Sequence, residues 1–63
     1  MKRAFINELE NHIELEVTEK EIDGVPGILI VLTGPTSTSE NHITRMEAEE
    51  LYAALGKALG MTS

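Results

Sequence analysis

The sequence predicts an α+β fold of two layers, in which an antiparallel β-hairpin or three-stranded sheet is covered by one C-terminal helix (ββα or βββα). Three observations lead there: an alternating stretch at residues 12–17, an Asp23-Gly24 pair ahead of an apolar run at 27–33, and a capped, apolar-striped segment at 44–59. All of it belongs to a single domain spanning residues 1–63.

The N-terminal segment Arg3-Ala4-Phe5-Ile6-Asn7 is assigned to a first strand over residues 3–7 that turns back at 9–11, with an extended helical arm as the alternative. Next comes His12-Ile13-Glu14-Leu15-Glu16-Val17, where a period of two puts Ile13, Leu15 and Val17 on one face and Glu14 and Glu16 on the other. Asp23-Gly24 is a favoured two-residue hairpin turn, because both turn positions of that type need positive φ. With that turn, Ile22 faces Val25, Val17 faces Ile30 and Leu15 faces Leu32, giving a hairpin over 12–33. Pro26 then falls opposite Glu21 at a non-hydrogen-bonded pair, where its missing N–H costs little. Thr33-Gly34-Pro35-Thr36-Ser37-Thr38-Ser39-Glu40-Asn41 reads as a polar connection, placed at 34–43, since these residue types favour turns.

Thr44-Arg45-Met46-Glu47 fits a capping box, so a helix is expected from about Arg45 to Leu59. Within it Ala48, Leu51, Tyr52, Leu55, Ala58 and Leu59 recur at helical spacing and form one apolar stripe, the expected partner of the hairpin's apolar face. Gly60 suits a left-handed C-terminal cap and Lys57 the negative helix end.

Leu29 and Val31 project to the second face, away from the helix, beside Glu14, Glu16 and Thr18. A strand aliphatic on both faces is normally buried on both sides. Cover is therefore expected from Phe5 or Ile6 of the same chain or from another copy, and Phe5, Ile6, Leu29 and Val31 are the candidate interface residues.

A domain this small buries only about 60% of the surface its unfolded chain exposes. The chain has no cysteine and no Cys/His metal spacing, so neither disulfides nor structural zinc are expected to brace it. Packing or self-association remains, and because the balance of burial against chain entropy is near zero a homo-oligomer, a dimer first, is expected.

A net charge of −6 has the wrong sign for gripping a phosphate backbone, so direct nucleic-acid binding is not expected. Met1-Lys2-Arg3 resembles the start of an export signal, but Asn7, Glu8 and Glu10 break the apolar stretch that should follow. The longest fully apolar run, Ile28 to Leu32, is far too short to cross a bilayer. The expectation is a small acidic cytoplasmic protein with no membrane contact.

Catalytic signals are weak. His12 and His42 have no neighbouring ligand at helical or hairpin spacing, and the glutamates of a solvated strand show nothing that would push their pKa values apart. Ser37, Thr38 and Ser39 lack a paired base, and the loop lacks the Gly-Lys-Ser/Thr ending of a phosphate cradle. No enzyme, metal or cofactor is expected. The function indicated is a non-catalytic protein-interaction module. The alternative is an acidic nucleic-acid mimic that inhibits a DNA- or RNA-binding protein through a row of Glu8, Glu10, Glu14 and Glu16 along an extended chain.

Ile43-Thr44-Arg45-Met46-Glu47-Ala48-Glu49-Glu50-Leu51-Tyr52-Ala53-Ala54-Leu55, together with Asp23-Gly24-Val25-Pro26, resembles the ending of many short uncharacterised proteins of actinobacteria and their phages. In those a strand pair with a Gly-x-Pro-type turn precedes a Leu-Thr-x-x-Glu-Ala-x-x-Leu helix; Arg45 here replaces the proline that follows the threonine. The likeness covers roughly residues 13–59. It implies a phage or bacterial origin and carries over no activity and no functional residues. The interaction module is accordingly expected to be a phage product that binds a host protein, the heterologous partner.

Overall fold

A computed structural model describes residues 1–61. Four strands, β1 (Lys2–Ile6), β2 (His12–Glu19), β3 (Gly27–Thr33) and β4 (Thr38–Thr44), are followed by one helix, α1 (Arg45–Ala58). The sheet is an antiparallel meander in the order β1-β2-β3-β4, and the fold is α+β with four strands rather than two or three.

The turns follow from local chemistry. Asp23 (φ 51°) and Gly24 (φ 80°) both occupy the left-handed region, and Ile22 and Val25 exchange backbone hydrogen bonds of 2.8 and 2.9 Å across them. The hairpin register is the expected one, with Val17 opposite Ile30 and Leu15 opposite Leu32. Between β1 and β2, the Asn7 side-chain oxygen accepts from the N–H groups of Leu9 and Asn11, and Glu10 takes a positive φ of 62°. Asn7 thus turns the chain at the place where a return was expected.

The polar connection assigned to 34–43 is corrected. Only the tight turn at 34–37 remains, closed by the Gly34 N–H donating to the Ser37 carbonyl at 2.8 Å, and β4 follows in full register with β3. What holds β4 is its main-chain ladder with β3, which asks nothing of side-chain polarity, and polar and charged residues are common on edge strands.

Thr44 ends β4 and caps α1, with no residue between strand and helix. The Thr44 N–H donates to Glu47 Oε1 at 2.8 Å and the Glu47 N–H donates to Thr44 Oγ1 at 3.2 Å. The Arg45 N–H donates to the Pro26 carbonyl at 3.1 Å, adding a rung to the β3–β4 ladder inside the first helical residue. At the far end, Gly60 (φ 72°) and Met61 donate back to the Lys57 and Gly56 carbonyls, a Schellman closure. Replacing Thr44 by Ala should remove about 1 kcal/mol of stability, as N-cap losses do; chemical denaturation followed by circular dichroism reads it as an earlier midpoint with a frayed helix.

The expected covering of the sheet by the helix is not found. α1 touches only β3 and β4, near its own root. Of its stripe, Leu51, Tyr52, Leu55 and Leu59 are 41%, 81%, 52% and 69% exposed. No apolar side chain is fully buried among the described residues. The radius of gyration is 13.3 Å, against about 10.6 Å for a compact chain of this length. The monomer is a sheet with a projecting helix.

Candidate interaction surface

Pairing register divides the sheet into two faces. On the first lie Phe5 from β1, Ile13, Leu15 and Val17 from β2, Ile28, Ile30 and Leu32 from β3, and Ile43 from β4. These residues form an aliphatic field centred on β2 and β3, since they neighbour one another along and across the strands, and Arg3, Glu19, Ser39 and Asn41 border it on the same face. All of them are half-buried or exposed. The second face carries Leu29 and Val31 at its centre, with Thr18 and His42 beside Leu29 and Glu16 and Glu40 beside Val31.

The candidate interface residues therefore separate. Leu29 and Val31 are half-buried on the second face, as the alternation required. Phe5 pairs with Ile13 and so belongs to the first face. Ile6 shares the second face but pairs with His12, four residues along β2 from Glu16, and does not reach Val31. β1 widens the sheet sideways and covers nothing. The larger uncovered surface is the first face, the one sequence periodicity had assigned to the helix.

The acidic residues also divide. Glu14 and Glu16 project from β2 on the second face, whereas Glu8 and Glu10 lie in the β1–β2 turn. The turn interrupts the extended chain on which a regular row of four would depend. Sequence reasoning missed Glu40, which β4 brings beside Val31 on the same face as Glu16. The β-branched residues Thr38, Ile43 and Thr44 around a Gly34-Pro35 turn were the available signal for that strand.

Near the helix root an open groove of about 660 Å³ separates the β2–β3 hairpin end from the first turns of α1, with Ile28 and Pro26 on one wall and Ala48 and Tyr52 on the other. Arg45 and Glu49 on its rim form an exposed ion pair at 3.6 Å, one helical turn apart; such pairs contribute little to stability. Among the described residues no group of three His, Asp or Glu side chains is placed to hold a metal ion, and no helix is long and apolar enough to cross a membrane.

The fold and its bare faces define a small meander-plus-helix α+β protein. In comparisons with known proteins, the chain matches no family model, no curated protein sequence and no solved structure.

Proposed function

We propose that this chain is a non-catalytic protein-interaction module that works as a homo-oligomer, a dimer in the first instance, and whose fold is complete only when partnered. The observation that carries the reading is surface area. A compact monomer of 6.9 kDa exposes about 4,000 Å² on the scaling of surface with mass, whereas this chain exposes 5410 Å². The excess, about 1,400 Å² per copy, amounts in a dimer to about 2,800 Å², inside the range of roughly 2,000–5,000 Å² typical of permanent homodimers.

The first face and the helix stripe supply the apolar area for self-association. The second face, with Leu29 and Val31 framed by Glu16 and Glu40, then remains for a heterologous protein, which for a phage product would be a host protein. An apolar centre with an acidic rim suits a partner whose own apolar patch is bordered by Lys or Arg.

Stability measured against protein concentration tests this reading. Folding coupled to association makes the midpoint of unfolding rise with concentration. Light scattering should give a mass that is a multiple of 6.9 kDa at micromolar concentration. A midpoint independent of concentration, with a mass of one chain, would overturn it.

A further inference from the structure

We propose that the dimer forms by helix exchange, the stripe of Leu51, Leu55 and Leu59 of each protomer lying across the Leu15, Val17 and Ile30 face of its partner. The proposal rests on the interaction-module reading and adds which surface meets which.

The first step is a constraint at the junction. The helix carries the apolar stripe and the sheet the apolar face, yet the two do not meet within one chain. Thr44 is the last residue of β4 and Arg45 the first of α1. Both bonds of the capping box and the Arg45-to-Pro26 rung fix the direction in which the helix leaves the sheet. Laying the helix over its own sheet would break that rung and open the cap, and there is no loop to absorb the change.

The second step compares the ways in which two copies can meet. Sheet against sheet hides the aliphatic field but leaves both helix stripes in water. Helix against helix hides the stripes and leaves both fields bare. Reciprocal exchange covers all four surfaces about one two-fold axis, because every protomer supplies one stripe and one field. Dimensions agree: fourteen helical residues span about 21 Å, and the seven residues of β3 span about 23 Å in a sheet whose outer strands lie about 14 Å apart. The excess area per copy is of the size that burying both surfaces would remove.

The chain has no cysteine, so introduced thiols report contacts without background. Two full-length variants, Ile30→Cys and Leu55→Cys, are made separately, mixed and oxidised in a glutathione buffer. A disulfide needs Cα atoms about 4.4–6.8 Å apart, so the mixed product should exceed each like-with-like product by about tenfold. Leu15→Cys, on the neighbouring strand of the same face, repeats the test should Ile30→Cys fold poorly. Val31→Cys, on the opposite face, should give no enrichment with Leu55→Cys. Dominant Ile30–Ile30 or Leu55–Leu55 products would overturn helix exchange while leaving self-association standing. A double variant Ile30→Cys/Leu55→Cys that closes within one chain, at a mass of 6.9 kDa, would overturn both.

Discussion

Ile30→Lys should reduce the proposed dimer to single chains of 6.9 kDa or unfold the protein, whereas Val31→Lys, one residue along the same strand, should leave the mass unchanged. The two side chains occupy opposite faces of β3. Ile30 stands opposite Val17 in the aliphatic field, and Val31 stands between Glu16 and Glu40. A lysine at position 30 forfeits about 1.5–3 kcal/mol of burial in each copy. It also places an ammonium group among the aliphatic side chains that the proposed contact would bury, a larger penalty. At position 31 the same ammonium group has two glutamates beside it and a solvated setting. Light scattering with circular dichroism on both variants reads the outcome directly. Had Leu29 and Val31 formed the contact between copies, as the alternation in β3 alone first suggests, Val31→Lys would be the disruptive change. Loss of mass in Val31→Lys with retention in Ile30→Lys would return the interface to that second face.

Gly27→Ala should cost about 1–3 kcal/mol, as inserting a methyl into filled space does, a large share of the roughly 3–9 kcal/mol expected for a domain of this size. Gly27 is the one buried residue among those described. A Cβ there would stand 2.8 Å from the Lys20 carbonyl oxygen, 2.9 Å from that of Ile43 and 3.0 Å from Ile22 Cδ1. The first two are main-chain atoms of the segments flanking β3 on either side, and neither can rotate away. Relief requires the segments to separate, straining the 3.0 Å bond from the Lys20 N–H to the Gly27 carbonyl. Thermal unfolding of the variant at fixed concentration measures the loss; an unchanged midpoint would mean that the sheet end yields more easily than its geometry indicates.

What the sequence revealed and what it withheld divide along the range of the forces involved. The Asp23-Gly24 turn, the hairpin register and the Thr44–Glu47 cap are decided by residues within a few positions of one another, and each is found as expected. β4 was concealed because Ser39, Glu40, Asn41 and His42 have no apolar alternation; what holds them is the main chain of β3. The helix stripe was evident, but the helix does not lie on its own sheet. Periodicity says that a face wants cover and says nothing about where the helix goes. Its direction is set at the loop-free junction of Thr44 and Arg45, where Arg45 is tied to Pro26, nineteen positions away in sequence. Of the candidate interface, the placement of Leu29 and Val31 followed from alternation alone, whereas the faces taken by Phe5 and Ile6 depended on a β1 register that no short-range signal specifies.

The same capping box has a protective side. Hydrogen-bonded rungs at Gly34/Ser37 and Pro26/Arg45 set the parity of the β3–β4 ladder, so the main-chain groups of Thr38, Glu40, His42 and Thr44 are directed outward, where a stranger's strand could dock. The N–H of Thr44 is already committed to the Glu47 carboxylate, and its carbonyl starts the helix. The bare margin is thereby trimmed at one end and carries the negative charge of Glu40 near its middle, while Lys2 and Arg3 mark the opposite margin. Short, charged margins are how open sheets avoid stacking into fibrils.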